Sequence, residues 1–169
     1  MDLSNENVVH VKKDGIEFLQ FRRLLEFDNV VHCYTLSVNG LDFKTTSKEM
    51  DSSIDRLCGA LEISKNTVIR PGQNHTDVVR GVTDTSVKFD DVDGLITDKT
   101  NINMILGFAD CTPILLYDPV KKIAGNIHSG WRGTAKKIGQ KAVLKMIQDY
   151  GSKADDIIVC LGPCIEKCH

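Results

Sequence analysis

Long apolar runs are missing from this sequence. No stretch approaches the roughly 18 apolar residues of a membrane-crossing helix, and the opening MDLSNENVVHVKKDG has neither an apolar h-region nor a small-residue cleavage site. A cytoplasmic protein with no membrane partner is expected. A dominant charge is missing too: 21 basic against 23 acidic side chains leave −2 at pH 7, with a pI near 6.2. No global field therefore recruits nucleic acid or an anionic bilayer. Cysteine is too sparse for a disulfide scaffold, six in 169 residues, so the six read as thiols, ligands or nucleophiles. Repeats, low-complexity tracts and Gly/Ser linkers are absent, which leaves no internal boundary and predicts one domain over residues 1–169. What is present, 41% hydrophobic and 26% charged residues with a mean hydropathy of −0.15, belongs to a globular chain and not to a disordered one.

IEFLQF (16–21) and VVHCYTL (30–36) are β-branched and aromatic runs joined by a charged link, and read as two strands. Thr46 and Glu49 form a capping-box pattern, after which Met50, Ile54, Leu57 and Leu61 recur at helical spacing. TVIR (67–70) stops at Pro71-Gly72 and DVVR (77–80) resumes an extended pattern, which puts His75 at a strand-loop junction. DGLITD, NMILGF, PILLYD and KIAGNI then crowd residues 93–127 with short strands. Thr134 is placed to cap a helix whose stripe is Ile138, Ala142, Val143, Met146, Ile147 and Tyr150, ended by Gly151. IIVCL (157–161) follows as a buried strand and completes a βαβ unit with KIAGNI and that helix, whose Ile138, Ala142 and Ile147 are expected on the two strands. The fold class expected is α+β, mixed sheets with helices on their outer faces. The chain stops soon after its last strand, and a fragment incomplete at the C-terminus is expected.

Cys160, Cys164, Cys168 and His169 make a local metal pattern, but their spacing departs from that of structural zinc knuckles and Pro163 breaks any helix that would align them. Packing cysteines are the simpler reading. Cys111 lies between two apolar strands and His128 at a strand's end before a helix, where loops present side chains. Delivered together, they are a thiolate-imidazole nucleophile pair or two ligands of a catalytic metal. Taken singly, each is an ordinary buried thiol or core histidine.

QNHTDVV (73–79), DGLITD (93–98), ADCTPILLYDP (109–119), IHSGWRGT (127–134) and LGPCIEKC (161–168) occur in the order and spacing of a known family's blocks. The sequence resembles the bacterial group first described as multicopper polyphenol oxidases or laccase-domain proteins and later as purine nucleoside phosphorylases, with relatives in vertebrate macrophages. The resemblance implies a zinc site made by His75, Cys111 and His128, the positions also needed for activity. Two imidazoles and a thiolate leave a fourth position open, as in catalytic sites; the same donor types accept copper as an alternative metal.

It further implies phosphorolysis of adenosine, inosine, guanosine and methylthioadenosine, and hydrolytic deamination of adenosine. Purine nucleosides and phosphate are then the small-molecule partners. Arg132 is the candidate anion contact, against a structural contact beside Trp131. Asp110 or Asp93 would move protons, against capping a turn. Gln73, two positions before His75, would hold substrate or a group behind the site, against a plain surface glutamine. Trp131 would stack on a purine, against the packing anchor that a sole tryptophan more often is.

Two departures from the family stand out. Where the family carries T-R-x-G-G-V-S, this chain has YTLSVNGLDF (34–43), with Ser37 in place of the arginine and Asn39-Gly40 for the glycine pair. Family members also continue well past the GPxIxxC block. Two other readings stay open. One is a metal-free hydrolase in which Cys111 attacks an amide with His128 as base, since some relatives are linked to peptidoglycan precursors and the fold resembles that of a bacterial toxin deamidase with a Cys-His pair. The other is an inactive fragment or binding module.

Overall fold

The computed structural model describes residues 2–44 and 46–166. The chain forms two compact units, residues 1–66 and 67–169.

The first unit opens with a hairpin that the sequence reading passed over. Strand β1 (Val8–Lys13) pairs antiparallel with β2 (Ile16–Phe21), with Lys13 opposite Ile16 and Val8 opposite Phe21. The turn is Asp14-Gly15, both left-handed with φ of 50° and 75°, the conformation a two-residue hairpin needs to match strand twist. VVHCYTL is a strand only over β3 (Tyr34–Thr35). Its first half is diverted: His32 turns inward and its Nε2 accepts the Phe21 N–H at 2.8 Å, while Gln20 Nε2 donates to His32 O at 3.1 Å.

Helix α1 (Met50–Leu61) buries Ile54, Leu57, Cys58 and Ala60. The capping box is not made: Glu49 is itself the N-cap residue, with no side-chain cap bond. The Arg56 guanidinium donates to Asn39 O and Gly15 O.

The second unit holds the longer sheet. Two short strands, β4 (Val68–Ile69) and β5 (Val79–Gly81), flank the His75 loop, and β6 (Gly94–Thr97) follows. NMILGF forms only β7 (Asn103–Met104), paired parallel with β4. Strands β8 (Thr112–Asp118) and β9 (Ile123–Ser129) make an antiparallel hairpin. Helix α2 (Trp131–Ala135) and helix α3 (Ile138–Tyr150) come next, then β10 (Ile158–Leu161).

Sheet order is β10-β8-β9-β6-β5, antiparallel except for the β5/β6 pair. Strand β8 thus separates β9 from β10 and, antiparallel to both, leaves them parallel to each other across the α3 crossover.

One helix was expected from Thr134 and two are found. Lys137 adopts φ 61° between them, so Thr134 sits inside α2 and its hydroxyl donates to Gly130 O at 3.0 Å. Gly151, at φ 71°, ends α3 as expected. Within the α3 stripe, Ile138, Ala142 and Met146 are buried, and Ile147 is half-buried. Ile138, Ala142 and Met146, with Val143 and Tyr150 against them, close over Ile96, Ile114, Leu116, Ile123 and Ile127. Leu95, next to Ile96, takes the opposite face, with Ile69, Val82, Val92 and Leu106. The alternation of a strand buried on both sides explains why DGLITD reads as a continuous apolar run. Among the described residues no helix is long and apolar enough to cross a membrane.

Candidate metal centre

The centre is organised by a carboxylate. Asp93 precedes β6 and has no solvent exposure. Its backbone is tied to β9, His128 N–H donating to Asp93 O at 2.7 Å, and its Oδ1 lies 2.7 Å from His128 Nδ1. Its Oδ2 accepts the Thr76 hydroxyl at 2.7 Å, the Thr76 N–H at 2.6 Å and the Asn74 N–H at 3.4 Å, and its Oδ1 takes the His75 N–H at 3.2 Å. Burial alone would raise the Asp93 pKa, but the Thr76 hydroxyl and N–H and then His128 outweigh it and hold the carboxyl below its ordinary value.

The carboxylate therefore does two jobs. It fastens the 74–76 turn, where His75 is held left-handed at φ 56°, a conformation that a non-glycine residue keeps only when its surroundings over-determine it. It also fixes the His128 tautomer: with Nδ1–H donated to Asp93, Nε2 keeps its lone pair for another partner. Phe108 packs on the same imidazole, ring centroids 5.5 Å apart.

Cys111 stands at the entry to β8. The β8/β9 register puts Thr112 opposite Ser129, so Gly130 comes beside Cys111. A Cβ on Gly130 would lie 2.8 Å from His75 Cδ2 and 3.2 Å from Cys111 Sγ; only glycine lets these side chains come so close. His75 and His128 meet edge to face, centroids 5.0 Å apart.

The donor atoms of His75, Cys111 and His128 all lie within 4.8 Å of one another. Tetrahedral zinc with bonds of about 2.1 Å to nitrogen and about 2.3 Å to sulfur needs donors roughly 3.5 Å apart, a contraction that side-chain rotation supplies. Burial first, then the Asp110 and Asp93 charges, push the Cys111 thiol above its ordinary pKa. A cation among the three donors reverses that balance. The donor set, its closeness and the glycine beside it fit a transition metal.

The remaining candidates are placed as follows. Gln73 pairs both ends of its amide with the backbone of one residue, Nε2 donating to Gly107 O at 2.9 Å and Oε1 accepting Gly107 N–H at 2.7 Å. It thereby ties the His75 loop to the segment that leads through Phe108 to Cys111. Asp110 is exposed beside Cys111. Arg132 is exposed too, its guanidinium 4.7 Å from the centroid of the Trp131 ring. Trp131 is not a packing anchor, being 71% exposed. Cys160 is buried in β10 and Cys164 is exposed, and neither joins the donor cluster; Cys168 and His169 lie outside the described residues. Sequence reasoning missed the approach of Gly130 and the tilted contact of Phe108 with His128, for which it holds no local signal. It had Asp93 only as a proton carrier or turn cap.

A family model described as multi-copper polyphenol oxidoreductase laccase matches residues 33–169. A purine nucleoside phosphorylase of Clostridium acetobutylicum is 33% identical over 161 residues, which cover 95% of this chain and 65% of that protein. The purine nucleoside phosphorylase YlmD of Bacillus subtilis is 44% identical over 73 residues, covering 43% and 26%. Among solved structures, YlmD from Geobacillus stearothermophilus superposes with a TM-score of 0.85 at 24% identity, covering 99% of this chain and 67% of that one. The hypothetical protein YfiH of Bacillus licheniformis gives 0.77 at 23%, covering 98% and 65%. The chain thus spans 65% of the length of the clostridial relative, and the mixed α/β fold with several sheets is shared with both structures.

Proposed function

The chain belongs to the multi-copper polyphenol oxidoreductase laccase family, and we propose that it is a purine nucleoside phosphorylase whose His75, Cys111 and His128 hold a transition metal, zinc before copper. The observation that carries this reading is the convergence of those three donors, from three separate segments, within 4.8 Å. Relatives that bear the name purine nucleoside phosphorylase supply the substrate class. Adenosine, inosine, guanosine and methylthioadenosine are the proposed nucleosides, with adenosine deamination as a second activity in the same pocket. When bound, the metal supplies Lewis acidity toward a substrate or water oxygen.

The chain's own residues do the rest. Asp93 keeps the proton on His128 Nδ1 and so aims Nε2 into the site. Arg132, exposed in α2, receives phosphate and orients it toward the C1′ carbon of the ribose. Asp110, exposed beside Cys111, is the acidic neighbour that moves protons in the deamination of adenosine. Gln73 positions the site instead of touching substrate, since its amide is engaged at both ends.

The test is to incubate zinc-loaded protein with adenosine, with and without phosphate, and follow products by chromatography. Adenine and ribose 1-phosphate that appear only with phosphate support phosphorolysis; inosine supports deamination; neither product with any of the four nucleosides overturns the proposal.

One observation favours a second reading. Cys111, His128 and Asp93 are also the members of a cysteine-hydrolase triad, in keeping with the toxin-deamidase-like core expected from the sequence. That chemistry needs a low-pKa thiolate, however, and burial pushes the Cys111 thiol up. Iodoacetamide separates the two: a nucleophile reacts fast without metal and is protected by substrate, whereas a ligand is protected by metal and freed by a chelator.

A further inference from the structure

Strand β10 goes on following β8 after its last residue. Within the strands Ile158 stands opposite Tyr117 and Leu161 opposite Ile114. Past them, Gly162 N–H donates to Pro113 O at 2.9 Å and Ile165 N–H donates to Asp110 O at 3.0 Å. Ladder bonds recur at every second residue and these two are three apart, so the second is out of phase with β10, but it flanks Cys164 and Cys111 as the bond of a non-hydrogen-bonded antiparallel pair does. Cys164 therefore falls opposite Cys111. Pro163, which has no N–H, interrupts the regular ladder between the two bonds, yet residues 162–165 and 110–113 are stretches of equal length tied together at both ends.

Residues opposite one another in an antiparallel pair have Cα atoms about 4.5 to 5.5 Å apart, and a disulfide requires about 4.4 to 6.8 Å. Both cysteines are thiols in this structure, Cys164 exposed and Cys111 half-buried. Cys160, the cysteine within β10, is placed opposite Leu115. We propose that Cys164 is the disulfide partner of Cys111, a thiol modification site beside the donor cluster whose oxidation withdraws one donor from it.

The oxidant is a low-molecular-weight disulfide. The Cys164 thiolate attacks one of its sulfurs, forming a mixed disulfide and releasing one thiolate. The Cys111 thiolate then attacks the Cys164 sulfur, forming the Cys111–Cys164 bond and releasing the second. Two protein thiols are oxidised and one small disulfide is reduced to two thiols, which take up the two protons that the cysteines lose. The consequence, loss of the metal, rests on the reading of Cys111 as a ligand, because a disulfide sulfur is no longer a thiolate.

The experiment treats the full chain, reduced and stripped with a chelator, with glutathione disulfide, then alkylates it with iodoacetamide and maps the peptides without reduction. A Cys111–Cys164 cross-link is expected, with Cys111 protected from the alkylating agent. In Cys164→Ser, at an exposed position, Cys111 stays open to iodoacetamide after the same treatment. Glutathione remaining on Cys164 with Cys111 free, Cys111 joined to any other cysteine, or no disulfide at all would overturn the pairing. In parallel, zinc-loaded protein is expected to release zinc on oxidation and regain it with dithiothreitol, while Cys164→Ser keeps it throughout. The cross-link is read without metal, so a cross-linked protein that binds no zinc even when reduced would leave the pairing standing and defeat the metal reading alone.

Discussion

Oδ1 of Asp93 lies 2.7 Å from Nδ1 of His128, and the carboxylate that makes this contact is wholly buried. The same group holds the turn that carries His75, so one residue sets the orientation of two imidazoles on different segments. Asp93→Asn replaces an acceptor by an amide that must either lose the His128 bond or face the N–H groups of the 74–76 turn with its own. Zinc affinity should fall by about 10- to 100-fold, as when other residues behind a metal ligand are changed. A competition titration against a chromogenic chelator reads this directly, and an unchanged affinity would mean that Asp93 does not orient the ligands.

Gly130→Ala isolates the close approach. Its backbone, at φ −71° and ψ 168°, suits alanine, so the fold should survive, whereas the added Cβ would lie 2.8 Å from the His75 ring. Metal bonds tolerate only about 0.2 Å of displacement, and zinc affinity should fall at least tenfold, by rough count, with far-ultraviolet circular dichroism unchanged. Full zinc retention in this variant would show that His75 is not held where the structure places it.

Gln73→Ala removes both bonds to the Gly107 backbone. The expected cost is about 1 to 2 kcal/mol of stability, measured by urea denaturation, together with weaker zinc binding. A loss of phosphorolysis with stability and zinc binding intact would instead put Gln73 in contact with substrate.

Burial lowers the His32 pKa from 6.5 to about 4. The unfolded chain then binds the proton before the folded one does. Stability from this group is complete above pH 6.5 and is lost as pH falls toward about 4, by about 3 kcal/mol in all. Urea unfolding of wild type across that window should show the loss, and His32→Gln should show a flatter profile. Equal slopes would remove His32 as the cause.

Much of the second unit is legible in the sequence because its elements are decided locally. The α3 stripe, the Gly151 stop and the short apolar strands each carry their own signal, and the structure keeps them. The discrepancies have separate causes, one a distant side-chain contact and two local backbone choices. His32 takes the Phe21 N–H and shortens β3; Lys137 takes a left-handed conformation and divides one expected helix into two; Glu49 opens α1 in place of the capping box. The Asp14-Gly15 turn between two alternating runs was a readable hairpin signal and went unused.

For the site, intervals of 36 and 17 residues carry no geometric information, and only the resemblance singled out His75 together with Cys111 and His128. The dependence of two of them on Asp93 becomes visible once β6 and β9 are known to be neighbours. Trp131 misled for the opposite reason: a sole tryptophan suggests a core, and here it is left on the surface under Arg132.

The measurement closest to the central claim is the metal content of protein expressed and purified without added metal or chelator and kept reduced. It should be compared by elemental analysis with His75→Ala, Cys111→Ser and His128→Ala. The account expects a transition metal, zinc foremost, in near-stoichiometric amount in the wild type and its loss in each variant that remains folded. Wild-type protein free of zinc, copper and other transition metals, or variants that keep the wild-type content, would contradict it.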